Sequence, residues 1–304
     1  MGVIMTIFTG SGAAVCTPFD STGAFNEGTY EKLIDFLVEK GTDAIVSCGS
    51  TGEASTLDTE EHIAVVRAAV AATKKAGDKY GRKVPVLAGA GGNDTAYDMN
   101  LAKKLQEAGV DALMCATPYY NKTSQRGLVV HYGKIAAAVD LPIIVYNVPA
   151  RTGLNIKATT MPQLAKIPNI VGIKEASGNI VQIAEMIEYC GDSIDMYAGN
   201  DDYVLPVLAL GGKGVISTTA NIAPADMHNL VASFMDGDVE KSRQLQLGLL
   251  PLVRMMFADI NPMPVKAALN LMGFDVGPCR LPLIDIDADL MQALKQELTR
   301  YGLT

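Results

Sequence analysis

The chain has 304 residues, 49% hydrophobic and 19% charged, and 25 Lys+Arg against 33 Asp+Glu give a formal net charge of -8. High apolar content excludes an extended disordered chain, and an acidic balance without Trp and with few aromatics excludes a general nucleic-acid groove. No apolar run approaches the ~18–20 residues that cross a bilayer.

Taken in chain order, short apolar runs alternate with amphipathic helical patterns. The runs read as strands are residues 13–17, 44–47, 84–88, 112–116, 143–146, 170–174, 195–198 and 214–217. Each is continuously apolar rather than alternating, as strands buried on both faces of a parallel sheet must be. Between them lie helical patterns over residues 27–40, 60–75, 95–108 and 179–190, several closed by glycine, as Gly41 follows Lys40 and Gly109 follows Ala108. Pro85 and Pro142 suit strand starts, where a missing N–H is tolerated. A rule of roughly 150 residues per domain would give two domains, but barrels often run longer as one. Eight strand–helix units predict an α/β fold, a (β/α)8 TIM barrel over residues 1–236, with a doubly wound open sheet as the alternative. Residues 237–304 carry three further helical patterns, 239–256, 264–272 and 288–301, and predict a C-terminal helical extension packed on the barrel.

The five cysteines are widely spaced and odd in number, without C-x-x-C, so neither a disulfide framework nor a zinc site is signalled. Cys16, Cys48 and Cys115 lie in apolar runs, where free Cys behaves as a small core residue. The first basic residue is Lys32, so the charged start of a signal peptide is missing. A reduced, cytoplasmic setting is the expectation. Met1, Gly2 and Thr6 match a myristoylation pattern, read as coincidence because no polybasic second signal follows.

In a barrel, chemistry belongs at the carboxyl ends of strands and in the loops after them. Strand six ends in Lys174-Glu175-Ala176-Ser177. A lysine buried there has its ammonium disfavoured by desolvation, which draws its pKa from ~10.4 toward neutrality and makes it the amine that imine chemistry needs. The competing reading pairs Lys174 with Glu175 or another rim carboxylate. Strand five ends at Tyr146, one strand away, where a hydroxyl can relay protons or simply bond a backbone group. Arg151, two residues past Pro149, is a candidate carboxylate fork. The turn Gly49-Ser50-Thr51-Gly52-Glu53 after strand two can present hydroxyls and N–H groups to an anion, although such turns are common loop material. Tyr119 and Tyr120 after strand four suit either a catalytic role or a subunit interface. The three histidines, His62, His131 and His228, are isolated, so no His-based metal pair exists. Asp285, Asp287 and Asp289 lack the glycine and closing Glu of a calcium loop.

Together these loops, with Gly214-Val215-Ile216-Ser217 and the tail motif Asn261-Pro262-Met263-Pro264-Val265-Lys266, resemble the dihydrodipicolinate synthase family of pyruvate-dependent Schiff-base aldolase barrels over nearly the whole chain. The resemblance implies that pyruvate is condensed with L-aspartate 4-semialdehyde in diaminopimelate and lysine biosynthesis, with no cofactor beyond a covalent imine on Lys174. It implies proton transfer by Tyr146, relay hydroxyls on Ser50 and on Tyr120 (the latter from a partner subunit), pyruvate contacts at Thr51 and the main chain of Ile216, and the semialdehyde carboxylate on Arg151. A homo-oligomer follows, either a dimer or a dimer of dimers. The chain departs from the family at Ser50, usually Thr, which keeps the oxygen but loses the methyl that fixes its rotamer.

Ser55, Thr59, His62, Asn93, Tyr97 and Tyr119 correspond to the lysine site of feedback-sensitive members. Tyr97 stands where those carry a Glu and Thr59 where they carry a His, so lysine inhibition is expected to be weak or absent. Siblings such as N-acetylneuraminate lyase or a 2-keto-3-deoxy sugar-acid aldolase share the Lys and Tyr, but usually lack the Arg. A barrel that binds a keto acid without turnover would be expected to have lost Lys174 or Tyr146, and both are present.

Overall fold

The computed structural model describes residues 5–304, so the myristoylation pattern, which needs Met1 and Gly2, falls outside the described residues. Eight parallel strands close on themselves in sequence order, β1 (Gly10–Ala14), β2 (Ala44–Ser47), β3 (Val86–Gly89), β4 (Ala112–Ala116), β5 (Ile143–Asn147), β6 (Ile170–Glu175), β7 (Asp195–Ala198) and β8 (Gly214–Ser217), and β8 pairs back onto β1. The expected (β/α)8 barrel is therefore the fold, and the open-sheet alternative is excluded by the β1–β8 ladder.

Around the barrel run α1 (Glu27–Glu39), α2 (Thr59–Tyr80), α3 (Thr95–Glu107), α4 (Gln125–Ala136), the short α5 (Pro149–Thr152) and α6 (Met161–Leu164), α7 (Ile180–Cys190), α8 (Val204–Ala209) and α9 (Pro224–Met235). Their starts follow local chemistry. Asn26, Asp58, Asp94, Ser124 and Asn179 each accept a bond from a first-turn N–H, satisfying donors that the helix itself leaves unpaired. The extension is α10 (Val239–Met256), α11 (Met263–Leu271) and α12 (Ala288–Tyr301), with α10 lying on α9 and α8. Leu249, Leu252, Val265, Leu269, Leu294 and Leu298 of these helices join the same buried cluster as the barrel helices, so the extension shares the main core rather than building one of its own.

Two of the expected strands are displaced. The first is Gly10–Ala14, not 13–17, because glycine lets β1 and β8 approach, and a Cβ on Gly214 would lie 1.9 Å from the Gly10 carbonyl oxygen. The apolar run continues past the ladder, where the Cys16 N–H turns to the Asn221 side chain. The third begins at Val86 rather than at residue 84, since Pro85 supplies only its carbonyl, to the Ile45 N–H.

A second, smaller cluster fills the barrel interior, with Ala14, Val46, Leu87, Met114, Ile144 and Ile216 among its members. Phe8, just before β1, stacks on Tyr197 at 4.6 Å between centroids, and the Tyr197 hydroxyl donates to the Phe8 carbonyl. Phe8 precedes β1 and so lies toward the amino-terminal end of the barrel, and the interior side chains separate that end from the opposite mouth.

Candidate active site

Strand β6 shows why Lys174 faces inward. Ile173 packs in the outer layer between strands and helices, while a Cβ on Gly172 would meet Ile144 and Tyr197 of the interior. Alternation places Lys174 on the inner side and Glu175 on the outer. Glu175 accepts from the Asn147 amide and the Ser177 N–H, and Asn147 and Gln182 both bond Asn155. The alternative pairing of Lys174 with Glu175 is thus ruled out by the direction of the two side chains.

Lys174 is 5% exposed, and burial pulls its pKa down to about 8. Asp201, in the loop after β7, opposes that shift, and the Arg151 guanidinium adds to it. The register pairs Tyr146 with Lys174 directly, and the lysine Nζ lies 4.4 Å from the centre of the tyrosine ring. Burial pushes the Tyr146 hydroxyl up to about 12, against the lowering effects of Arg151 and of the Ser50 hydroxyl. Its proton therefore stays on the oxygen at neutral pH, ready to be donated and recovered.

Ser50 lies exposed at the mouth and Thr51 is buried behind it, its hydroxyl 3.3 Å from that of Thr218 and accepting from the Asn261 amide at 2.9 Å. Arg151 in α5 is exposed and donates to the Asn261 carbonyl at 3.1 Å. Ile216 is buried on β8 inside the barrel. Lys174, Tyr146, Ser50 and Arg151 are thus brought within electrostatic reach of one another, with Thr51 and Ile216 on flanking elements. Tyr120 is placed differently: it is 91% exposed, projects from the loop after β4 and holds a left-handed φ of 64°.

The six residues of the expected lysine site form no charged cradle. Thr59 and Tyr97 bond each other through their hydroxyls at 3.0 Å, and the Asn93 carbonyl accepts from the Asn121 amide. His62 is buried, which lowers its pKa to about 4, so it is neutral near pH 7. Ser55 and Tyr119 are exposed.

Sequence reasoning missed Asp201. It is buried and accepts from the Thr219 N–H and hydroxyl, while its other oxygen is unpartnered. Burial pushes its carboxyl upward, and Thr219, Ser217 and Lys174 hold it down. The run Asn200-Asp201-Asp202 directly after an apolar strand was the available signal. The sequence also assigned no role to Asn261, Glu53 or Lys266. Among the described residues no group of three or more His, Cys, Asp or Glu could hold a metal ion.

A buried lysine of lowered basicity, paired across a strand register with a protonated tyrosine at the open mouth of a barrel, is what an imine-forming aldolase needs. The chain belongs to the dihydrodipicolinate synthetase family, whose profile matches residues 7–301. It is 51% identical over 297 residues, covering 98% of each chain, to the 4-hydroxy-tetrahydrodipicolinate synthase of Acetivibrio thermocellus. The solved dihydrodipicolinate synthase from Thermotoga maritima superposes with a TM-score of 0.93 at 39% identity, over 98% of this chain and 100% of that one. The enzyme from Cyanidioschyzon merolae, solved with lysine bound, gives 0.93 at 38%, over 99% and 100%.

Proposed function

We propose that the chain catalyses the 4-hydroxy-tetrahydrodipicolinate synthase reaction, joining pyruvate to L-aspartate 4-semialdehyde for lysine and diaminopimelate synthesis. The observation that carries this reading is the Lys174–Tyr146 pair. The neutral Lys174 amine adds to the keto carbon of pyruvate, and loss of water leaves an imine. Tyr146 donates a proton to the departing hydroxyl, and loss of a proton from the methyl carbon then gives the enamine. That carbon attacks the semialdehyde's aldehyde. The product's own amine next displaces Lys174, closing the ring and regenerating the enzyme.

Ser50 passes protons between Tyr146 and solvent, and Thr51 with the Ile216 main chain seats the pyruvate carboxylate. Arg151 takes the carboxylate of the second substrate. The imine nitrogen itself is the electron sink, so the chemistry requires no metal and no organic cofactor. The left-handed, outward-reaching Tyr120 suits a hydroxyl delivered to a second copy of the chain, so a homo-oligomer belongs to the proposal. No helix among the described residues is long and apolar enough to cross a membrane. The free cysteines, four of them buried, support a reducing, cytoplasmic setting for the enzyme.

Borohydride reduction in the presence of pyruvate, followed by mass spectrometry of the Lys174 peptide, tests the imine. The expected result is a pyruvyl adduct on Lys174 and turnover with aspartate semialdehyde but not with sialic acid. An unmodified Lys174 would remove the imine mechanism. Cleavage of sialic acid would favour the sibling lyases.

A further inference from the structure

A buried ion pair ties the loop after β2 to the C-terminal extension. Glu53 follows Thr51 by two residues and holds a left-handed φ of 52°. One of its carboxylate oxygens lies 2.8 Å from the Lys266 Nζ, and the other accepts from the Arg280 N–H. The two side chains of the pair are 1% and 2% exposed. Lys266 also donates to the Thr17 and Pro278 carbonyls and lies over the Phe19 ring. All three ammonium protons are therefore used, and the lysine cannot swing toward solvent. Five residues upstream in the same segment, Asn261 donates its amide to the Thr51 hydroxyl and accepts from Arg151 on its carbonyl.

We infer that residues 261–266 of the extension position the substrate groups, with the Lys266–Glu53 pair as the anchor and Asn261 as the link to Thr51 and Arg151. The inference rests on the reading of Thr51 and Arg151 as substrate contacts. The two contacts differ in kind. The Asn261 amide orients the Thr51 hydroxyl, whereas the Arg151 contact uses the main chain and survives replacement of the side chain. Glu53 and Lys266 touch no substrate; they act by fixing the two ends of this link.

Steady-state kinetics of four variants test it, with thermal unfolding followed in parallel. Asn261→Ala is expected to raise KM for pyruvate about tenfold and to leave KM for the semialdehyde within about twofold. Lys266→Met, which strands Glu53, is expected to lower the melting temperature and raise both KM values. The pair Glu53→Gln with Lys266→Met removes both charges, and is expected to regain melting temperature while both KM values stay raised. Lys266→Arg, which keeps the charge, is expected to restore them in part.

A double variant with both wild-type stability and wild-type KM values would overturn the positioning role and leave a structural pair. Equal effects of Asn261→Ala on both substrates would remove Asn261 as a selective link. Thr51→Val and Arg151→Ala run alongside as references. If these also leave KM unchanged, the assignment of the substrate contacts has failed and the inference falls with it. If they raise KM while the other variants do not, the inference alone has failed.

Discussion

Lys174 sits between two charges that pull its proton affinity in opposite directions. Asp201 favours the ammonium and Arg151 the free amine. In the proposed mechanism only the free amine attacks pyruvate, so the rate of imine formation is expected to rise with pH until Lys174 is deprotonated, near pH 8 in this chain. Asp201→Asn removes the carboxylate that stabilises the proton, lowers the Lys174 pKa and moves that rising limb to lower pH. Arg151→Ala does the reverse. Borohydride trapping with saturating pyruvate alone, measured across pH 6–10, reads both shifts without involving the second substrate. Limbs that move the same way in both variants would contradict the assignment. Lysine feedback also turns on a single charge. Tyr97 and Thr59 satisfy each other's hydroxyls and offer no carboxylate to a cationic amine, and a charge-assisted bond of about 1.5–3 kcal/mol is forgone. L-lysine is expected to inhibit weakly or not at all in a steady-state titration, and half-inhibition at micromolar lysine would refute this.

At the scale of elements, the barrel closes because two glycines meet. Gly10 and Gly214 are register partners on β1 and β8, with no room for a side chain on the latter. Gly214→Ala must open that seam or displace β1, at a cost of several kcal/mol by comparison with other severe core substitutions, for which values above about 4–5 kcal/mol are exceptional. The expected outcome is a steep loss of folded protein, read by circular dichroism and melting temperature; a variant that melts like the parent would show that the seam can relax. Removal of one partner from the Lys266–Glu53 pair carries a similar penalty, about 3–5 kcal/mol for an uncompensated buried charge.

Most strands were legible in the sequence because each is a short apolar run between helical patterns, and Lys174 and Tyr146 were legible because each lies one residue from the carboxyl end of adjacent strands. The first strand was misplaced because its beginning is written in glycine and serine, which mark close backbone approach rather than burial of side chains. Asp201 escaped because its acidity gains meaning only beside Lys174. The pairing of Glu53 with Lys266, 213 residues apart in sequence, depends on a packing contact that no local pattern encodes.

The whole molecule carries a formal charge of -8, and both proposed substrates present carboxylates. Its overall field cannot draw them in, so local groups must, among them Lys174, Arg151 and the N–H groups of the mouth. The proposed assembly has its own test. Tyr120→Phe is expected to lower kcat, and Lys174→Met to abolish turnover. If Tyr120 serves the neighbouring site, mixed oligomers of the two variants regain activity, because the intact Lys174 of one subunit then meets the intact tyrosine of the other. Mixtures no more active than their separate components would place the hydroxyl in its own subunit or outside the reaction.

The side chains that fill the barrel, from Ala14 and Val46 to the Phe8–Tyr197 stack, have a consequence for traffic. With the barrel interior filled by side chains, whatever enters through the mouth must leave through it. In the proposed mechanism the water expelled as the imine forms has to escape along the path by which the semialdehyde arrives. Occupation of that path before dehydration would trap the leaving water beside the new bond and favour the reverse step. In the proposed mechanism a one-sided mouth thus favours one sequence of events, with pyruvate admitted and dehydrated first and its partner second, and a single doorway in effect keeps time for the reaction.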